Sequence, residues 1–353
     1  MCRHRTITAL LTLVALICCL PSAWAGTINL PKTGQTATYA AGDDGALQKG
    51  VAWPNPRFTD NNNGTVADNL SGLIWLKNAN CFGLSTWTNA FFLIAGLASG
   101  SCGLTDGSHA GDWRLPNINE LMSLIDVSHY NPALPAGCYP FSGVQSNYYW
   151  SSTTAGGDTN LVWLVDMYYG GVFRYGKAGT DLVWPVRGGQ SGAFDSSVIS
   201  ALGEAEDGLD YSGPVRGATV PPAPVPKTGQ TTSYGTGDDG ALQMGVAWPN
   251  PRLTDNGNGT VTDNLTGLIW LKNANCFGLT TWTNAFFLIA GLAGGSCGLT
   301  DGSHAGDWRL PNINELKSLI DYSHYGPALP AGYYPFSGVQ SDRYWSSTTA
   351  AGY

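Results

Sequence analysis

The chain predicts an α+β domain written twice. Three observations carry this: a long internal repeat, Asn-Gly hairpin turns between short apolar runs, and capping signals ahead of helical spacing. Residues 31–158 reappear as 226–353 at a constant offset of 195 without a gap, and only 19 of the 128 pairs differ. A repeat of this length exceeds a solenoid unit and suits an independent domain with its own core.

In chain order, each repeat opens on PKTGQT and a Gly/Asp-rich arm, GDDGALQ, which reads as irregular. Asn63-Gly64 and Asn258-Gly259 then mark tight hairpins, because both residue types tolerate the positive φ that such turns need. Residues 72–77 form a second, more buried strand. The segment 86–97, TWTNAFFLIAGL, lacks alternation and predicts a buried helix capped by Ser85 or Thr86. In DWRLPNINELMSLID, Asn117 caps a helix and Glu120 reaches back as a capping box. Ile118, Leu121, Leu124 and Ile125 share one face of it. Residues 148–153 predict a strand, and 162–167, 172–175 and 182–187 predict three more, in the first copy only.

The domain plan is therefore a leader at 1–25, an arm at 26–56 and a first domain at 57–189. A Pro-rich linker at 190–224, a repeated arm at 225–251 and an incomplete second domain at 252–353 follow. Arg3 and Arg5, an apolar run, and Ala23-Trp24-Ala25 read as a secretory signal cut before Gly26. The formal charge of −8 disfavours a general polyanion-binding surface. Export permits disulfides, and the recurring 21-residue spacing predicts Cys81–Cys102 and Cys276–Cys297. Cys138, which faces Tyr333 in the other copy, is expected to be a free thiol.

Asp60, Asn63 and Asp68, with Asp255, Asn258 and Asp263, are candidate calcium ligands. The glycine and glutamate positions of an EF-hand are missing, so Asx residues serving a hairpin are the competing reading. His109, His129, His304 and His324 come without a nucleophile elbow, an HExxH pair or a CxxC pair. Aromatics are the stronger lead. Tyr148, Tyr168 and Tyr169 with Asn147, and Asp342 and Arg343 in the second copy, are candidate ligand-binding residues. Trp150, kept as Trp345, reads as core, whereas positions 147 and 148 vary and read as surface.

The ordered landmarks NGTVTDNLTGLIWLK, TWTNA, GDWRLPNINELKSLID, YWSSTT and WPVRGG resemble the Lcl C-terminal domain family, named after a collagen-like bacterial adhesin. The resemblance spans about 57–189 and 252–353. It implies a C-type-lectin-like fold with two helices and a twisted antiparallel sheet, and a binding rather than catalytic role. The family's named member binds sulfated glycosaminoglycans, but this chain has no Gly-X-Y stretch and is acidic. The expected function is an exported carbohydrate-binding or adhesion module, doubled for avidity, with a glycan as partner and calcium as the one cofactor candidate. The alternatives are an enzyme similar to formylglycine-generating oxidases, whose WRLP and RGG segments look alike, and an envelope interaction protein without a small ligand.

Overall fold

The structure, a computed structural model, describes residues 28–135, 140–188, 221–330 and 335–351. The leader, Cys138 and most of the 190–224 linker lie outside the described residues.

The first repeat builds two sheets. Strands β1 (Phe58–Asp60), β2 (Thr65–Asp68) and β3 (Leu73–Leu76) form an antiparallel meander, closed by β9 (Val186–Gly188) in the order β1-β2-β3-β9. The second sheet has the order β4-β8-β5-β6-β7. It is made of β4 (Leu84–Thr86), β5 (Tyr148–Thr154), β6 (Leu161–Asp166), β7 (Gly171–Gly176) and β8 (Thr180–Leu182). All pairings are antiparallel except β5 with β8. Three helices accompany the sheets: α1 (Asp44–Leu47), α2 (Trp87–Ala95) and α3 (Ile118–Ser123). Two expectations are corrected here. The arm is not wholly irregular, because Asp43 caps α1 by accepting from Ala46 N. The single strand expected over 182–187 divides, with Trp184 turned inward and Pro185 unable to donate to a ladder.

Local chemistry explains the elements. Thr86 caps α2, and Asn117 with Glu120 forms the capping box of α3. Arg114 grips Glu120 through two 2.6 Å bonds and donates to Gly188 O, tying the WRLPN segment to β9. The core is aromatic: Trp184 meets Trp75, Phe141 and Tyr149 at ring distances of 5.6, 4.9 and 5.5 Å. Trp184 donates to Leu76 O and Trp150 to Ser85 O, whereas the Trp75 N–H is buried without an acceptor. Tyr149 OH accepts from Gln145 N, and burial pushes its phenol up to about 12.

The second repeat keeps the corresponding framework. It has α4 (Asp239–Leu242), the sheet β10 (Leu253–Asp255), β11 (Thr260–Asp263) and β12 (Ile269–Leu271), then α5 (Trp282–Ala290) and α6 (Ile313–Ser318). Among the described residues it has no strands equivalent to β4 to β9. Its Trp345 is accordingly 53% exposed, whereas Trp150 is fully buried.

The arms are exchanged between the repeats. The second arm lies on the first domain: Thr153 Oγ1 donates to Asp239 Oδ2 at 2.7 Å, and Asn117 Nδ2 donates to Met244 O at 3.1 Å. Asn119 Nδ2 donates to Pro226 O, and the Gln230 amide makes two bonds with the Thr154 backbone. The first arm makes the equivalent bonds to the second domain: Thr348 to Asp44, Asn312 to Lys49 O, Asn314 to Pro31 O and Thr349 N to Gln35. Each arm also bonds its own domain, through Val127 N to Thr33 O and Tyr322 N to Thr228 O. Equivalent residues meet equivalent residues, so the chain has the pairing of an isologous two-fold dimer.

Candidate ligand-binding site

Four of the six ligand candidates converge at one end of the five-stranded sheet. Tyr148 opens β5 opposite Asp166, the last residue of β6. Asp166 Oδ1 accepts from Tyr168 N, and its carbonyl accepts from Gly170 N, forming the turn that carries Tyr168 and Tyr169. Asn147 O accepts from Met167 N, while its side chain accepts from Tyr148 N at 2.8 Å. The Asn147 amide thereby orients the first residue of β5.

Two aromatic residues join this end that the sequence pattern had not marked. Phe173 of β7 meets Tyr148 edge-on at 5.9 Å. Tyr130 stacks on Tyr169 with rings 19° apart, and Tyr168 meets Tyr169 at 4.4 Å. Tyr130 is held there because Asn131 N donates to Tyr168 O. Tyr130, Tyr148, Tyr169 and Phe173 are all exposed. Strand alternation could have pointed to Phe173, which sits between residues that face the other way. Nothing local pointed to Tyr130.

Asp342 and Arg343 are not part of an equivalent cluster. Both are exposed and lie 3.8 Å apart, Nε to Oδ1, and no counterparts of Tyr168, Tyr169 or Phe173 stand beside them among the described residues. The aromatic face is therefore described once, and avidity from two such faces does not follow.

The calcium candidates are engaged by the chain itself. Asp60 pairs with Lys77 and accepts from Asn62 N, and its carboxyl is held below the usual range by the Lys77 bond first. Asn63 Oδ1 accepts from both N and Oγ1 of Thr65. Asp68 stands at the opposite end of the β1–β2 ladder, buried, taking Leu70 N, Ser71 Oγ and the Arg57 guanidinium. Asp255, Asn258 and Asp263 repeat these roles with Lys272, Thr260 and Arg252. Among the described residues no three acidic, His or Cys side chains are grouped to hold a metal ion. Asp60 and Asn63 thus brace the hairpin turn, and Asp68 the turn at Leu70–Ser71.

The histidines also serve turns. His109 and His304 are exposed beside Asp112 and Asp307. At His129, Asp126 and Ser128 both approach the same nitrogen, Nδ1, at 2.9 and 3.0 Å, and His324 repeats the arrangement. A catalytic triad needs the acid and the nucleophile on opposite ring nitrogens. Cys81–Cys102 and Cys276–Cys297 are disulfide-bonded.

A comparison with curated proteins finds no match. The Lcl C-terminal domain matches residues 64–187 and again 259–353. Both spans contain the second and third strands of the meander and the two longer helices, and the first also contains β5, the aromatic turn and the closing strands up to Arg187. The chain belongs to the Lcl C-terminal domain family.

Proposed function

We propose that the chain is an exported, non-catalytic adhesion module whose first domain binds a glycan on its tyrosine-rich end. The observation that carries this is the exposed cluster of Tyr130, Tyr148, Tyr169 and Phe173 around Asn147. Aromatic faces pack against the apolar faces of pyranose rings, and phenol hydroxyls and amides supply directional bonds at their edges. The acidic balance of the chain favours a neutral saccharide over a sulfated one. The arrangement of helices, two sheets and closing strands supports a C-type-lectin-like reading of the fold. Two disulfides fit an oxidising compartment, and no helix among the described residues is long and apolar enough to cross a membrane. The same disulfides weigh against the oxidase-like alternative, whose chemistry needs reactive thiols. A glycan array probed with and without EDTA tests the reading. Neutral glycans are expected to bind under both conditions, and Tyr148→Ala and Tyr169→Ala to lose that signal. No binding under either condition, or binding untouched by both substitutions, would sink it.

A further inference from the structure

The contacts between the repeats are two-fold in plan, but one pair of equivalent contacts is built from different residues. Among the described residues, Tyr322 is the one buried side chain of the second domain that belongs to the first domain's core. It is 5% exposed, and its ring meets Trp163 of β6 edge-on at 5.4 Å. Its carbonyl accepts from Gly156 N at 3.1 Å. Gly156 has no room for a side chain. A Cβ there would lie 2.7 Å from Ser323 C and O and 2.9 Å from His324 N, all backbone atoms that cannot step aside.

On the opposite side of the pseudo-two-fold, Val127 stands where Tyr322 does, and Ala351 where Gly156 does. Ala351 N donates to Val127 O at 3.3 Å, so the backbone bond is kept. The ring and its slot are not, because Trp163 has no counterpart among the described residues of the second repeat. Positions 127/322 and 156/351 are two of only 19 that differ between the repeats, and they meet across the interface. Exchanging partners shows what the difference does. A first repeat set against another first repeat would bring Val127 to Gly156 and Trp163, leaving the space of the Tyr322 ring unfilled. A second repeat set against another second repeat would press the Ala351 methyl on the backbone that abuts Gly156, and would offer the Tyr322 ring no Trp163.

Near-identical surfaces of this kind otherwise pair like with like, and between chains such pairing can propagate instead of closing. We propose that Tyr322, Gly156 and Trp163 make the two repeats partners for each other and not for their own kind in a second copy of the chain. The covalent tether between the repeats then selects the partner within the same chain. Neither the tyrosine-rich end nor the glycan reading enters this argument.

The test uses the full chain with a protease site placed within residues 190–220. After cleavage, the two halves, disulfides intact, are unfolded in urea, refolded together and weighed by native mass spectrometry. Random pairing makes about half of the pairs unlike, and a tenfold penalty on each like pair raises that to roughly nine in ten. Roughly nine in ten is the result expected for the parent. Tyr322→Val installs the first repeat's residue and should bring the share back toward about half, whereas Tyr322→Phe keeps the ring and should hold it. A parent that pairs at random, or a Tyr322→Val variant with the parent's preference, would overturn the proposal. The intact chain gives a second reading that needs no refolding. Hydrogen exchange at the Gly156 amide should rise about tenfold or more in Tyr322→Val, while Val127→Ala leaves the Ala351 amide within about threefold. Equal responses on the two sides would also overturn it.

Discussion

Asp239 should make the arm exchange pH-dependent, and the sign can be worked from its surroundings. Its carboxyl is buried at the junction, where Thr228 and Thr153 both donate to Oδ2 at 2.5 and 2.7 Å. Burial pushes it up from 3.8 to about 7, overriding the two hydroxyl bonds that favour the charged form. The folded chain therefore holds this proton more tightly than the unfolded chain. Its contribution is fully present below pH 3.8, is lost as pH rises to about 7, and is level above that. About three units at about 1.4 kcal/mol each gives a loss of about 4 kcal/mol across the window. Asp239→Asn keeps an oxygen for the two threonines and cannot titrate. Urea unfolding followed by tryptophan fluorescence, at pH 4 to 8, should show parent stability falling relative to Asp239→Asn by about that amount. With a urea slope of about 2 kcal/mol per molar, the gap in midpoints would move by about 2 M. A gap constant with pH, or one moving the other way, would refute the argument.

Four further outcomes are expected. Cys81→Ser paired with Cys102→Ser opens a 21-residue closure and should cost about 3 kcal/mol on the chain-entropy estimate, checked by thermal unfolding with and without reductant. Asn119→Ala and Asn314→Ala each remove a bond from helix to arm, and each should cost about 1 kcal/mol and admit protease at the arm it held. Arg114→Met leaves Glu120 buried without its two bonds, and should cost about 3 kcal/mol or more in urea unfolding. Trp150→Ala should cost about 3–5 kcal/mol, and Trp345→Ala clearly less, because only the first indole is fully buried.

How legible the chain was depended on the range of the interaction. The Asn117–Glu120 capping box is written within four residues and the structure forms it, whereas the hairpin at Asn63-Gly64 forms as a longer turn between Asp60 and Thr65, with Asn62 and Gly64 rather than Asn63 at positive φ. The disulfides follow from spacing that recurs. Strand β4 has only three residues, Leu84 to Thr86, too few for a pattern, and it exists because β8 pairs with it. The arm exchange left no local trace. PKTGQT and GDDGALQ read the same whether they fold back on their own domain or cross to the other, and near-identity makes both surfaces complementary. The tyrosine cluster was half legible, since Tyr148, Tyr168 and Tyr169 sit in aromatic runs, while Tyr130 arrives by a tertiary contact.

The two repeats together separate what the closing strands do from what the rest of the domain does. Without counterparts of β6 to β9 among its described residues, the second repeat still forms its hairpin, its disulfide and its capping box. Even the bond from Trp345 Nε1 to Thr280 O persists, matching that of Trp150, although the ring is half-exposed. Closing strands therefore supply burial and also the pairing that makes strands of β4 and β5, whose equivalents at 279–281 and 343–349 form none. They also supply a cation and a carbonyl: Asp106 bonds Ser108 and faces Arg187, and Arg114 reaches Gly188 O, whereas the equivalent Asp301 keeps the bond to Ser303 without such an arginine and Arg309 lacks the strand carbonyl. The segment 347–349 of the second repeat is held by its own domain, through Ser347 N to Pro311 O and Ile313 N to Thr348 Oγ1, and by the first arm, through Asp44 and Gln35. In the first repeat the same stretch ends β5, where Thr154 pairs with Val162, and the second arm bonds it as well. The exchange is symmetric in its contacts, and the first domain adds to it the pairing of β5 with β6, which has no equivalent among the described residues of the second repeat.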